Sequence, residues 1–219
     1  MKIAALILIA FALYQVEGAF RAPLTAQGSK DFSFYVFTSE WAGSICSTNT
    51  CNSPHSKGVS KTFWNIHGLW PSDGKMGINY CSNEKFDLKK ISHLKTDLAS
   101  YWSGLYSSAD SFHSHEWEKH GTCSKMSQAD YFSTAIRIGK NINVYSILQR
   151  NNIVPGGVYS CQAVANALKQ HLKVSTFTLQ ATGGYLTALK LCVGKNLQLQ
   201  NCPSGNICKG TIKYPHLTI

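Results

Sequence analysis

The chain has 219 residues, 44% of them hydrophobic and 15% charged, a balance that excludes a disordered, collagenous or coiled-coil protein. At this length one domain is expected, burying roughly 70% of the unfolded chain's surface. Lysine and arginine outnumber the acids 21 to 11, for a net charge of +10, which suits anionic partners: nucleic acid, polyphosphate or an anionic membrane face.

In chain order, Met1 and Lys2 supply a positive start and Ile3 to Leu13 is an unbroken apolar run of 11 residues, too short to span a bilayer. Val16 and Gly18 then place small residues before a cut. These features read as a signal peptide over residues 1–18, leaving a mature domain over 19–219; the alternative is a buried N-terminal helix. No later apolar run is long enough for a membrane span. A secretory route makes Cys46, Cys51, Cys81, Cys123, Cys161, Cys192, Cys202 and Cys208 disulfide partners, and sequence alone does not choose their pairing. Zinc is the rival reading, but the chain has no C-x-x-C pair.

Phe32 to Phe37 alternates and is aromatic-rich, as a strand is. Ser47 to Ser60 reads as a surface loop. Thr62 to Ile66 reads as a short strand running into Gly68, with a turn at Pro71-Ser72-Asp73-Gly74. From Asp87, Leu88, Ile91, Leu94, Leu98 and Trp102 follow a helical period. Ser127 and Asp130 form a capping-box pattern, and Ser160 caps a further helix carrying Val164, Leu168 and Leu172 on one face. Val174 to Gln180, Tyr185 to Val193 and Asn196 to Gln200 read as strands separated by glycines. Strands and helices alternate without a strict βαβ repeat. The expectation is therefore a single α+β domain with a mostly antiparallel sheet flanked by helices.

Two segments carry chemistry. Phe63 to Pro71 reads FWNIHGLWP. His67 ends an apolar stretch, Gly68 lets the backbone turn or a ligand approach, and Trp70 can hold the imidazole or stack on a base; a core histidine is the competing reading. His115 to Cys123 reads HEWEKHGTC. On a helix His115, Glu116, Lys119 and His120 fall on an arc of about 140°, whereas Glu118 and Trp117 face elsewhere, as a solvated charge and a packing residue. The zinc-protease pattern His-Glu-x-x-His fails here, because the second histidine comes one residue late and Lys119 brings a cation.

Several histidines, a lysine and a carboxylate, without a metal motif or a serine nucleophile motif, suit RNA cleavage. The substrate supplies its own nucleophile, the 2′-hydroxyl, beside the scissile phosphate. Two imidazoles can serve as base and acid, and a cation can stabilise the phosphorane. DNA lacks the nucleophile.

Both segments resemble the paired active-site motifs of the ribonuclease T2 family, which run approximately F-T-I-H-G-L-W-P and W-x-H-E-W-x-K-H-G-T-C. The resemblance extends over essentially the mature chain. It implies a secretory endoribonuclease that needs no metal or cofactor and makes 2′,3′-cyclic phosphates that open to 3′-phosphates, with low base specificity. It implies His120 as general base, His67 as general acid, His115 as a phosphate ligand, Glu116 and Lys119 as transition-state stabilisers, and Trp70 as support for His67. It also suggests the pairs Cys46–Cys51, Cys81–Cys123, Cys161–Cys208 and Cys192–Cys202. Relatives often carry Gln-Trp-Pro where this chain has Glu40-Trp41-Ala42; the glutamine helps read a base, so Glu40 is a candidate base contact with altered preference. His113 stands where a tryptophan is usual. Phe86 is a candidate stacking residue for a base, with core packing as the alternative. The expected partner is RNA, with no obligate protein partner and a monomeric state, in a secreted, lysosomal or vacuolar compartment. A non-enzymatic secreted RNA- or cell-binding protein on the same scaffold is the competing class, and cytotoxic or self-recognition activity a third.

Overall fold

The computed structural model describes residues 31–49, 51, 58–75 and 77–218; the signal-peptide reading of residues 1–18 falls outside them. The described residues form an α+β fold around a seven-stranded sheet ordered β2-β1-β5-β7-β3, with β4 and β6 also paired to β5. Strand β1 (Phe34–Glu40) lies between β2 (Asn65–Ser72) and β5 (Tyr185–Gly194), antiparallel to both. Strands β4 (Thr178–Thr182) and β6 (Leu199–Gln200) run antiparallel to β5, and β3 (Gly157–Ser160) antiparallel to β7 (Thr211–Tyr214). A parallel contact between Tyr185 and Lys213 joins β7 to β5.

Strand β2 departs from the sequence expectation. It begins later, at Asn65, and continues through Pro71 to Ser72 instead of turning there. Proline is tolerated because β2 is an edge of the sheet, where a missing N–H breaks no second ladder. A bulge interrupts it: Ser39 pairs with Ile66 and Thr38 with Gly68, leaving His67 as the extra residue. In a regular strand Ile66 and Leu69 would face opposite sides. The inserted residue lets both enter the core, and it puts His67 on the face that carries Gly68 and Trp70. Bulges re-aim side chains in this way beside functional sites.

The helices are α1 (Ala42–Thr48), α2 (Lys95–Tyr101), α3 (Ala109–Lys119), α4 (Gln128–Ile142), α5 (Val144–Arg150) and α6 (Cys161–Leu172). The period read from Asp87 is a 3-10 helix over Leu88–Leu94 that passes into α2. Ser127 Oγ accepts the Asp130 N–H at the start of α4, and Ser160 Oγ accepts the Ala163 N–H at the start of α6, as N-cap serines do. The core lies between one sheet face and the helices: Phe37, Ile66, Leu69, Leu189 and Leu191 meet Trp117, Tyr131 and Phe132, all fully or almost fully buried. No helix among the described residues is long and apolar enough to cross a membrane.

The eight cysteines form four disulfides: Cys46–Cys51, Cys81–Cys123, Cys161–Cys208 and Cys192–Cys202. The second ties the segment after β2 to the 3-10 turn Gly121–Cys123 that follows α3. It therefore braces the two segments that carry the candidate chemistry.

Candidate active site

The site forms where the face of β2 opposite the core meets α3. Ser108 starts this helix by accepting the Ser111 N–H on its hydroxyl. The helix ends at Lys119, and His120 is its C-cap, donating its N–H to the Glu116 carbonyl. Two buried contacts hold α3 against β2. Trp102 Nε1 donates to the His67 carbonyl at 3.1 Å, and His113 Nε2 donates to the Trp102 carbonyl at 2.6 Å. His113 is thus a structural histidine, and burial pulls its pKa down against the hydrogen bond to Trp102 and the charge of Asp110.

Trp70 Nε1 donates to Glu116 Oε2 at 2.8 Å. Its ring stands edge-on to His67, with centroids 5.1 Å apart, and lies 5.2 Å from the His120 ring. Trp70 therefore flanks both imidazoles while its only polar atom holds the carboxylate. Gly68 is required between them, because a Cβ there would collide with Glu116 Oε2 and Trp70 Nε1. His67 Nε2 lies 3.7 Å from Glu116 Oε1, and its Nδ1–H donates to Glu40 Oε1 at 2.6 Å.

The environments of the titratable groups differ sharply. Burial lowers the His67 pKa, but the hydrogen bond and charge of Glu40, with the charge of Glu116, outweigh it and leave the imidazole raised. His120 is pushed down to about 3, by burial first and then by the positive charges of Lys119, His115 and His67. Its Nδ1 is buried with no hydrogen-bond partner among the described residues. Burial also drives the Glu116 carboxyl up to about 7, against the pull of His67, Trp70 and Lys119. His115 is exposed and its pKa is lowered, by its partial burial and by the neighbouring charges of Lys119 and His67.

Most of the residues singled out in the sequence thus meet at one place, and three of them make contacts that the sequence did not specify. Phe86 packs inward, with ring centroids 6.0 Å from Phe132 and 6.5 Å from His113. Trp70 hydrogen-bonds Glu116 while its ring flanks His67. Glu40 spends an oxygen on His67. Three further residues escaped sequence reasoning. Phe112 and Tyr106 line the pocket beside His67, with Phe112 edge-on to its ring at 5.4 Å. Lys190 of β5 places its ammonium 5.6 Å from the Trp70 ring. Phe112 precedes His115 and Glu116 by three and four residues, so the helical rule that grouped those two also reaches it. Lys190 needs the β1–β5 register, which no local pattern encodes. Among the described residues no group of three His, Cys, Asp or Glu side chains is placed to hold a metal ion.

Two histidines in one cleft, one driven toward its protonated form and one toward its neutral form, are the arrangement that acid–base catalysis requires. The chain belongs to the ribonuclease T2 family, an RNA-cleaving enzyme family: the family model matches residues 32–202. It is 33% identical to ribonuclease DdI of Dictyostelium discoideum over 84% of this chain and 85% of that protein. It is also 33% identical to extracellular ribonuclease LE of Solanum lycopersicum, over 85% and 88%. Among solved structures, RNase NT in complex with 5′-AMP superposes with a TM-score of 0.79 at 28% identity, over 86% of this chain and all of that one.

Proposed function

We propose that the protein is a secretory endoribonuclease that cleaves single-stranded RNA by metal-independent transesterification. His120, the neutral imidazole, takes the proton from the 2′-hydroxyl. The oxygen attacks the adjacent phosphorus, and His67, the protonated imidazole, gives its Nε2 proton to the departing 5′-oxygen. A 2′,3′-cyclic phosphate results, and water opens it to a 3′-phosphate with the two roles reversed. Lys119 and His115 face the phosphate's charge. Glu116, held in place by Trp70 and pushed up by burial to about 7, stands with Lys119 where the phosphorane's charge develops. Phe112 and Tyr106 offer aromatic surface to a base beside the leaving group. Such a stack reads little of base identity, in keeping with low base specificity. The four disulfides favour an oxidising, secretory compartment.

The convergence of His67, Glu116 and His120 around Trp70, with the His67 ring held by Glu40, carries this reading. The test is incubation of the purified protein with single-stranded RNA and matched DNA in EDTA across about pH 4 to 8, with analysis of the ends. RNA-only cleavage leaving 2′,3′-cyclic phosphate is expected. For the free enzyme, kcat/KM falls on the acid side only as pH approaches about 3, the value for His120, and on the alkaline side above histidine's usual pKa, as His67 loses its proton. His120→Ala lowers cleavage by about 10²–10⁴ while RNA binding survives. Activity that needs added zinc, or cleavage unchanged in His120→Ala, overturns the mechanism. Binding without cleavage under every condition leaves the non-enzymatic reading.

A further inference from the structure

We propose that Glu40 is a positioning residue of the reaction: its carboxylate holds His67 by Nδ1 and leaves Nε2 as the proton-donating atom. The proposal rests on the acid role given to His67 above. Glu40 ends β1, and its backbone partner on β2 is Asn65, two residues before His67. His67 is the extra residue of the β2 bulge, so its imidazole lies on the cleft side, over the end of the neighbouring strand. There Nδ1 meets Glu40 Oε1 at 2.6 Å, with the two side chains 33% and 18% exposed. A carboxylate only accepts hydrogen bonds, so the shared proton sits on Nδ1 in the neutral tautomer, and Nε2 gains and loses the catalytic proton. Carboxylates fix ring orientation and tautomer in this way in catalytic dyads and metal sites.

Other charged groups also face His67, and the pair must act against or alongside each. From α3 come Glu116, 3.7 Å from Nε2, and His115, Lys119 and His120 beyond it. From β5 comes Lys190, whose charge opposes protonation. Tyr106 lies across the pocket, its pKa raised by burial first and then by the Glu40 charge. Glu40 is the one carboxylate hydrogen-bonded to the ring among the described residues. A glutamine at this position would keep an accepting oxygen but lose the charge. This chain therefore has an acid that stays protonated to higher pH than the amide allows.

The experiment uses the mature protein with Glu40→Gln and Glu40→Ala. Each is read by NMR titration of His67 in the unliganded protein and by pH profiles of kcat/KM on dinucleotides that vary the base after the scissile bond. Glu40→Gln is expected to lower the His67 pKa by about 1 unit, tenfold in proton affinity. It moves the alkaline limb to lower pH by the same amount and leaves the acid plateau nearly unchanged. Glu40→Ala gives the same shift and a plateau lower by about 10–100-fold, because the ring is no longer held. An unmoved titration and limb in both variants overturn the proposal. A fixed limb with altered relative rates among dinucleotides also overturns it, and makes Glu40 a base contact. The titration needs no substrate: a protein inert on RNA whose His67 still responds to Glu40→Gln refutes the proposed substrate, not the pairing.

Discussion

Gly68 has room on its Cα for a hydrogen and nothing larger, since Glu116 Oε2 and Trp70 Nε1 fill the space where a Cβ would go. Its side-chain-free surface is what lets a carboxylate from α3 and an indole from β2 bond across the strand. In Gly68→Ala the methyl must push Glu116 or Trp70 aside, and both flank the imidazoles. Misplacement on that scale costs about 100-fold, so kcat/KM is expected to fall by that factor while the circular dichroism spectrum is kept. Full activity in Gly68→Ala would show that the Trp70–Glu116 bond positions nothing. At this scale the sequence was legible where chemistry repeats along one helix: Glu116, Lys119 and His120 are related by helical spacing alone. Glu40 as a partner of His67 was not legible. The two are 27 residues apart, and their meeting depends on a strand pairing and a bulge. Phe86 stayed open between a base contact and core packing, because an aromatic residue near a motif looks the same whether it faces a base or the core.

Two elements, β2 and the C-terminal turn of α3, must keep their relative position to within a fraction of an ångström for the cleft to work. Beyond the side-chain contacts already described, they are joined by the Tyr80 N–H donating to the Lys119 carbonyl at 2.8 Å and by the Cys81–Cys123 disulfide. That bridge closes a loop with a sequence separation of 42. Removing it as Cys81→Ala/Cys123→Ala is expected to cost about 2–5 kcal/mol, measured by urea unfolding, and to lower kcat more than in a Cys161→Ala/Cys208→Ala control, whose bridge has a similar sequence separation, 47, and joins the start of α6 to the segment before β7. Equal losses of kcat in the two variants would assign the Cys81–Cys123 bridge to stability alone. Helices α4 and α6 were legible through serine caps and apolar period; α5 was not read, nor was α1, whose N-cap Trp41 supplies no capping side chain and whose end at Thr48 runs into the segment read as a loop. The 3-10 character of Leu88–Leu94 was not, because over seven residues a period of three and one of 3.6 mark nearly the same positions. Leu88, counted on the apolar face, is in fact 47% exposed. The extent of β2 was misread because Pro71 signals a turn unless the strand is known to be an edge.

For the molecule as a whole, the net charge of +10 matters only through where it lies relative to the cleft. Lys119 stands among the catalytic groups. Lys190 and Lys75 line a groove on the same sheet face, together with Val36, Ser72 and Thr178. A single strand of RNA laid through the cleft therefore meets about three ammonium groups, each displacing a condensed counterion from a phosphate. Counterion release gives a slope of log kcat/KM against log salt of about −0.7 per phosphate on single strands, hence about −2 on a long RNA. A dinucleotide has one phosphate and no condensed counterion atmosphere, so its slope should be much shallower. Lys75→Ala and Lys190→Ala should each flatten the polymer slope by about 0.7 and leave the dinucleotide slope nearly unchanged. Lys75 gives the cleaner arm, because it is remote from His67, whereas loss of Lys190 also removes a charge that opposes His67 protonation and should push the alkaline limb upward. The same slope on polymer and dinucleotide would mean that the groove carries no RNA. A polymer slope much steeper than −2, insensitive to both variants, would place the attraction in the charge of the whole surface.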